Sequence, residues 1–295
     1  MYSDLRIHVD DEERKMKSPL KWLGGKHQII DHISKALPLD IRGHYYEPFV
    51  GGGTVLLHVL ERVANGTLCV GGRVIASDAN PYLIRLYVEI QCNVDSLIRE
   101  LCTLQTFSES YYYERRDEFN RVRDDPACAT RAAALFLYLN RTCFRGVYRE
   151  GPRGFNVPYG HYAAPVVFED SHLRRVASLI RDVDFRCCSF EVALANVLPD
   201  DFVYLDPPYA PEKATSFVKY TRDGFSMDQH VALFARCQSL HRFVMSNSDV
   251  ELVRAHFSAP VFAIESLVCR RAIHCKSPNA RASEVLVRRS VAPTN

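Results

Sequence analysis

The chain of 295 residues is 47% hydrophobic and 24% charged, and its formal net charge is +2. This composition is ordinary for a globular protein of one large or two modest domains, and no apolar stretch approaches the roughly 20 residues that a membrane span requires. The ten cysteines show no zinc-ligand spacing and no secretory signal is evident. We therefore expect free buried thiols, no metal, no membrane contact and a cytoplasmic location.

The first part of the chain predicts a strand, a glycine loop, a helix, a second strand and an acid in succession. A helical pattern over residues 18–36 precedes a strand that ends in three glycines at 51–53. An amphipathic helix over 55–63 follows, and the next strand, over 73–77, ends at Asp78. This succession is typical of a nucleotide-binding unit in an α/β protein.

The glycine loop and Asp78 predict where such a nucleotide would lie. Glycines let the backbone approach a ligand closely, and the following helix offers unpaired N–H groups at its N-terminus. An acid at the end of the next strand can hold a ribose diol. A tight structural turn is the alternative explanation of the glycines. Because a Walker-type lysine and a full GxGxxG are both missing, an adenosine-bearing cofactor is favoured over a triphosphate or a dinucleotide.

The middle of the chain predicts helices followed by a basic hairpin. Residues 80–104 and 129–139 have helical patterns, whereas 141–162 are rich in Gly, Pro, Arg and aromatic residues, with a turn at 150–154. A two-stranded ribbon fits the major groove of DNA, arginine pairs with guanine edges, and an aromatic ring can wedge between base steps. A second basic stretch at 270–289 suits phosphate contacts, and a solvated basic face is the alternative for both stretches.

The most specific motif is Asp206-Pro207-Pro208-Tyr209, which follows the apolar strand pattern of residues 202–205. Proline has no N–H, so this loop presents hydrogen-bond acceptors at a strand's carboxyl end. Asp206 and the Pro207 carbonyl would each accept a hydrogen from a planar amine, such as that of adenine or cytosine, and Tyr209 would stack on the base. An amine acceptor beside an adenosine-bearing cofactor indicates S-adenosylmethionine. A plain strand-to-loop turn is the alternative.

Taken in order, these motifs resemble those of the Dam-type DNA adenine methyltransferases, from about Ser18 to Arg288. The matching stretches are Leu20 to Lys26, Glu47 to Gly53, Ser77 to Asn80, Phe136 to Arg141, Gly154 to Gly160, Asp206 to Pro211, Ser246-Asn247 and Glu284 to Val287. The resemblance implies an α/β fold, namely a Rossmann-like S-adenosylmethionine-dependent methyltransferase sheet with an inserted, mostly helical target-recognition domain that bears a β-hairpin. The implied boundaries are 1–80 and 166–295 for the catalytic domain and 81–165 for the insertion.

The resemblance also implies site roles, by matching position. Asp206, Pro207, Pro208 and Tyr209 would form the catalytic loop. The cofactor-binding residues would be Trp22, Lys26, Glu47, Phe49, Gly51, Asp78 and Asp206. Arg149 would read a guanine, Val147 and Pro158 would contact bases, and Phe144 would insert into the duplex. The full set of DNA-binding residues would be Arg141, Phe144, Arg145, Val147, Arg149, Asn156 and Pro158.

The expected reaction is methyl transfer to the 6-amino nitrogen of a flipped adenine in duplex DNA, with GATC as the leading site. Arg145 stands where family members usually carry Asn, and the tip Glu150-Gly151-Pro152 also departs from the family pattern, so specificity is the least determined property. The open alternatives are a methyltransferase for cytosine or RNA adenine and a non-catalytic DNA-binding relative. We expect a monomer, with dimerisation on DNA as the other possibility.

Overall fold

The structure, a computed structural model, describes residues 16–211, 225–270 and 281–290. The first fifteen residues and much of the second basic stretch, 271–280, lie outside the described residues. The helices are α1 (Ile30–Ala36), α2 (Thr54–Ala64), α3 (Pro81–Cys102), α4 (Glu109–Val122), α5 (Ala129–Thr142), α6 (Asp170–Leu179), α7 (Phe190–Leu194), α8 (Met227–Ser239) and α9 (Glu251–His256). The strands are β1 (Asp40–Ile41), β2 (Tyr45–Glu47), β3 (Cys69–Val70), β4 (Val74–Asp78), β5 (Glu150–Gly151), β6 (Gly154–Phe155), β7 (Asp184–Cys187), β8 (Phe202–Leu205), β9 (Phe243–Ser248), β10 (Phe262–Arg270) and β11 (Arg281–Arg289).

The main sheet has the order β10-β11-β9-β8-β2-β4-β7. Strands β9, β8, β2, β4 and β7 are parallel to their neighbours, whereas β11 and β10 join at one edge as antiparallel strands. All parallel carboxyl ends therefore lie along the same edge of the sheet, where open α/β folds bind ligands. The α/β class with a mostly parallel methyltransferase-type sheet is confirmed.

Both faces are covered at the centre of this sheet, which explains why the central strand β8, a Phe-Val-Tyr-Leu segment buried at every position, is a continuous apolar run. Tyr45 and Tyr204 pack into the core on one face, and their neighbours Tyr46 and Val203 pack into the core on the other. Successive strand residues point to opposite faces, so a strand buried on both sides needs apolar residues at every position. Among the described residues, no helix is both long and apolar enough for a membrane crossing.

The start of the chain differs from the helix predicted over 18–36. The helix α1 begins only at Ile30, after a short 3-10 turn at Lys26–Gln28. Gly24 has a φ of +80°, in the left-handed region that a right-handed helix cannot contain. The prediction of a helix before residue 26 was therefore wrong: residues 16–26 instead form an irregular amino-terminal arm, with bends at 19–20 and a turn at 23–24.

The predicted hairpin exists but its paired strands are short. Strands β5 and β6 pair through two residues each, and the flanks are held by a single bridge between Cys143 and Tyr159. A 3-10 turn at Phe144–Gly146 interrupts the first flank. Pro158 lacks the N–H that a continued ladder would need, although its carbonyl accepts from Phe144 N at 2.9 Å.

Helix α4 fixes the hairpin in place. Asn120 receives the Phe155 N–H on Oδ1 at 2.8 Å and donates from Nδ2 to the Phe155 carbonyl at 2.9 Å, completing one more ladder rung with its side chain. The buried Tyr112 hydroxyl donates to the Val157 carbonyl at 2.7 Å. These hydrogen bonds, between groups shielded from water, fix the position of the hairpin relative to α4.

The free cysteines of the described residues are less buried than predicted. Cys143 and Cys237 are buried, whereas the exposed ones are Cys69, Cys92, Cys102 and Cys187. The expectation of buried thiols was therefore wrong for these four. They lie near strand ends and on the outer faces of helices, which neither spacing nor composition reveals.

A carboxyl group is buried under the sheet edge at the end of β2. Glu47 is 2% exposed, and the Tyr45 hydroxyl donates to its Oε2 at 2.7 Å. The pKa of Glu47 is raised to about 8. Burial is the main cause, the Tyr45 hydrogen bond opposes it, and the nearby charge of Asp206 adds to it. The protonated form is therefore favoured at neutral pH.

This raised pKa predicts a pH-dependent effect of Glu47→Gln. Between the ordinary glutamate pKa of 4.5 and the folded value of about 8, the folded state holds a proton that the unfolded state releases, so this group's contribution to stability falls as pH rises. Glutamine carries no such proton. Relative to wild type, Glu47→Gln should gain on the order of 3 kcal/mol of unfolding free energy between pH 5 and pH 8.

Urea unfolding at both pH values measures this gain, with Glu191→Gln, an exposed glutamate on α7, as the matched control. A difference between Glu47→Gln and wild type that does not change with pH would contradict the burial argument.

Candidate active site

A cavity of about 900 Å³ opens at the carboxyl edge of the sheet, which is within the usual size of a small-molecule site. It is bordered by the ends of β2, β4, β7 and β8 and by the amino-terminal arm. The lining residues lie at 22–26, 47–55, 78–82, 146, 148–150, 188–190, 204, 206–209, 225 and 229. The predicted cofactor-binding residues and the predicted catalytic loop therefore border one space.

Two glycines of the loop after β2 have backbone conformations in which residues with a Cβ are strained. Gly51 and Gly53 have φ values of +47° and +70°, where only glycine is unstrained. A Cβ on Gly53 would stand 2.6 Å from the Tyr87 hydroxyl oxygen, and a Cβ on Gly52 would stand 2.8 Å from Cβ of Trp22. The loop is thus a bare backbone wall that a ligand can approach closely.

Trp22 covers this glycine wall from the arm. Its ring stacks on Tyr148 of the hairpin, with centroids 6.3 Å apart, and contacts Phe136 of α5 at 6.5 Å. The tryptophan is half-buried rather than enclosed, so one part of the ring system is free to contact a ligand in the cavity.

Asp78, at the end of β4, accepts hydrogen bonds both from the glycine loop and from the turn that leads into α3. Its Oδ2 accepts from Gly51 N at 3.2 Å and its Oδ1 accepts from Asn80 N at 2.9 Å. Burial raises its pKa, whereas these N–H donors lower it. A carboxylate has about four acceptor positions, so each oxygen keeps capacity for a further donor such as a ribose hydroxyl.

Asp206 forms an ion pair with Lys26 of the arm. The Lys26 Nζ lies 2.7 Å from Oδ2 of Asp206, and the exposed fractions of the two side chains are 6% and 20%. Burial raises the pKa of Asp206, and the ammonium of Lys26 opposes that rise. The same ammonium lies 5.0 Å from the centroid of the Tyr209 ring. The carboxylate and the ring therefore already form a cation-accepting corner of the cavity.

The proline loop presents acceptors as expected. Within the described residues, no donor is bonded to the Pro207 carbonyl oxygen. The chain is then fixed by Ala210, whose N–H donates to Oδ1 of the buried Asn247 at 2.9 Å. A backbone carbonyl and a carboxylate at the same corner can accept both hydrogens of one planar amine.

The predicted DNA-binding residues separate into an exposed group and a packed group. Phe144 and Arg145 are exposed, with the guanidinium 5.1 Å from the phenyl centroid, and Pro158 is exposed beside them. Arg149 is also exposed, and its Nε donates to Oδ1 of Asn156 at 2.7 Å, which holds the guanidinium at the hairpin.

Arg141 and Val147 have internal contacts instead. The Arg141 guanidinium donates through Nε to the Pro19 carbonyl at 2.9 Å and is largely shielded from water. Val147 packs against the hydrophobic core. In this structure Arg141 tethers the arm to α5, so its position gives no support to the predicted DNA contact.

Sequence reasoning missed the part of the cavity formed after β7. Cys188, Ser189 and Phe190 line the cavity, and Phe190 stacks on Phe49 with centroids 5.8 Å apart. Cys187 is in register with Asp78 on the neighbouring strand. The signal was available, because residues after a parallel strand next to Asp78 must reach the same sheet edge.

No group of three or more His, Cys, Asp or Glu side chains suited to a metal ion occurs in the described parts of the chain. The described residues that line the cavity offer hydrogen-bond acceptors, aromatic rings, the Lys26 ammonium and the Arg149 guanidinium.

Comparison with known proteins identifies the family. Residues 22–273 match the family model of the D12 class N6 adenine-specific DNA methyltransferases. The type II methyltransferase M.MjaIII of Methanocaldococcus jannaschii is 35% identical over 281 residues, covering 89% of this chain and 94% of its own length. The DNA adenine methylases of Salmonella typhi and Escherichia coli strain K12 are 36% and 35% identical over 251 residues, covering 82% of this chain and 84% of theirs.

The match spans the glycine loop, the hairpin and the proline loop together, and the relatives align over nearly their whole lengths. The expectation of an enzyme that methylates adenine in DNA is confirmed, and the chain belongs to the D12 class N6 adenine-specific DNA methyltransferase family.

Proposed function

We propose that this enzyme binds S-adenosylmethionine at the glycine-loop end of the cavity and the flipped target adenine at the Asp206 end. The observation that carries the proposal is that the bare glycine wall and the amine-accepting loop face the same cavity. The resident groups fit the cofactor: Asp78 offers acceptors for the ribose, and Trp22 and Phe49 offer aromatic surface. When bound, the cofactor supplies a methyl group on an activated sulfonium.

The protein's own part in the reaction is to hold the amine. Asp206 and the Pro207 carbonyl accept the two amine hydrogens, which orients the nitrogen lone pair toward the cofactor end of the cavity. The ring of Tyr209 stacks on the flipped base, which lowers the cost of a few kcal/mol for leaving the duplex. Lys26 shares the Asp206 carboxylate with the arriving amine, and its ammonium opposes the rise in the pKa of Asp206 that burial causes. Positioning of this kind accounts for much of the acceleration.

We infer that the hairpin reads the DNA site, with residues 81–165 as the recognition domain and GATC as the leading site. Support comes from the exposed Arg149, held by Asn156, and from relatives that are named DNA adenine methylases. One chain carries both the cavity and the hairpin, which supports action as a monomer. Arg145 stands where family members usually carry Asn. Its φ of +59° is a conformation that asparagine adopts more readily than arginine.

The direct test is incubation of the protein with labelled S-adenosylmethionine and unmethylated duplex DNA, followed by nucleoside analysis and mapping of the modified sites. Methyladenine confined to GATC is the expected result. Methyladenine at another short site would overturn the proposed specificity, and methylcytosine or label in RNA alone would overturn the proposed substrate.

Asp206→Asn should lower the rate of methyl transfer by roughly 10²–10³-fold, because an amide can no longer accept an amine hydrogen with a full negative charge. Binding of DNA should remain, since the proposed recognition contacts come from the hairpin and not from Asp206. Single-turnover transfer and a DNA mobility shift measure the two properties, and Asp182→Asn, whose side chain is 89% exposed, is the matched control. Transfer at the wild-type rate would rule out the assigned role of the loop.

Arg149→Ala should weaken the discrimination between DNA sites rather than the methyl-transfer step itself. Loss of a bidentate guanine contact costs about 1–3 kcal/mol of preference for the correct base, so the rate on the cognate site should fall about tenfold to a hundredfold. The rate on a site with that guanine replaced should change little. The exposed Arg153 of the hairpin turn provides the control Arg153→Ala. Equal losses on both DNA sites would show that Arg149 contacts only phosphate.

A further inference from the structure

The Tyr209 side chain is held by a residue of the antiparallel strand β11, the second strand from one edge of the sheet. Its hydroxyl donates to Oε2 of Glu284 at 2.8 Å. Glu284 lies on β11, directly opposite Ser248 of β9, and is half-buried. Among the described residues that line the cavity, Glu284 does not occur. Its hydrogen bond to the site is the one from the tyrosine hydroxyl, and its charge also raises the pKa of Asp206.

The next loop residue is held by the neighbouring strand. Ala210 donates its N–H to Asn247 of β9, and Asn247 is opposite Val285 of β11. Two successive residues at the end of the catalytic loop are thus anchored to two adjacent antiparallel strands. A paired sheet is a rigid support, whereas a loop carrying two prolines and no ladder bonds is not.

The bond to Glu284 determines how the ring can be placed. A tyrosine hydroxyl has one hydrogen to donate, and here that hydrogen is committed to a carboxylate, which makes a stronger bond than a neutral acceptor does. Burial raises the pKa of Tyr209, and the charges of Asp206 and Glu284 raise it further, so the hydroxyl stays protonated and able to donate. With both its Cα and its hydroxyl anchored, the ring has little freedom to swing away from the base position.

We propose that Glu284 is a positioning residue for methyl transfer, whose carboxylate fixes the Tyr209 ring in the orientation that stacks on the flipped base. This inference rests on the proposed function of the Asp206 to Tyr209 loop. It assigns the antiparallel strand β11 a part in catalysis, although no described residue of that strand lines the cavity.

A merely structural role for Glu284 makes different predictions, which allows a sharp test. If Glu284 acts through the Tyr209 hydroxyl, removing either group should have the same effect, and removing both should add nothing. If it only supports β11, its loss should lower thermal stability and should act independently of Tyr209. The variants are Tyr209→Phe, Glu284→Ala, their double variant and Glu284→Gln, which retains an acceptor oxygen. Glu265→Ala on the neighbouring β10 is the matched control, since the Glu265 side chain is 44% exposed.

The experiment measures single-turnover methyl transfer, the KM for DNA and for the cofactor, the melting temperature, and the fluorescence of 2-aminopurine at the target position of a duplex. We expect Glu284→Ala and Tyr209→Phe each to lower the transfer rate by roughly tenfold, with the KM for the cofactor unchanged. The double variant should match the single variants, and Glu284→Gln should stay within about threefold of wild type. The fluorescence of the flipped probe should rise in Glu284→Ala, because an unanchored ring quenches it less.

Multiplied losses in the double variant, or a wild-type rate for Glu284→Ala, would overturn the inference. If Glu284→Ala does not fold, Glu284→Met, of similar length, takes its place in the cycle. Wild type and Glu265→Ala report separately on the proposed function: if neither labels adenine in duplex DNA, the proposed function fails and this inference fails with it. Labelled adenine with an unaffected Glu284→Ala contradicts the inference alone.

Discussion

The ion pair between Lys26 and Asp206 is the interaction on which the rest of the site depends. It joins the amino-terminal arm to the catalytic loop, and its ammonium is almost fully enclosed. Removing one partner of a shielded pair leaves the other charge uncompensated, which costs several kcal/mol. The pair therefore holds the arm against the sheet edge, and Trp22 is placed over the glycine loop as a consequence. Without the arm, the cavity would lack one wall.

The charged and acidic groups around this ion pair determine which kind of ligand the cavity favours. The carboxyl groups of Glu47, Asp78, Asp206 and Glu284 surround or support it, and Lys26 is the cation bonded to Asp206. Burial keeps Glu47 protonated at neutral pH, which limits repulsion among these acids. The carboxyl oxygens of Asp78 and Asp206, which line the cavity, favour positively charged guests. A sulfonium, and an amine that becomes positive as it gains a methyl group, are guests of that kind.

The hairpin and the cavity are one packed unit. Tyr148 stacks on Trp22 on one side and lies 5.7 Å from Phe155 on the other, and Phe155 is held by Asn120. Any displacement of the hairpin on DNA must therefore move an aromatic residue that lines the cavity. Under the proposed function, a hairpin movement on DNA that shifts Tyr148 would change the affinity of the cavity for its cofactor, and linkage would make that effect reciprocal. Recognition and cofactor binding would then be joined by direct contacts, without a long pathway.

Features that depend on residues close together in the sequence could be predicted, whereas features that depend on contacts between distant residues could not. The β2 and β8 strands, the glycine loop and Asp78 were predictable, because apolar runs and the residues at their ends are local signals. The short pairing of the hairpin was not, because it depends on Asn120 of α4 and on the backbone of Arg145. The anchoring of Tyr209 by Glu284 was even less accessible. It requires the register of the antiparallel strand β11 against β9, and a one-residue slip would turn Glu284 to the opposite face. Cavity-lining residues at strand ends were thus predictable from local sequence signals, whereas the residues that hold them in place were found only from the three-dimensional structure.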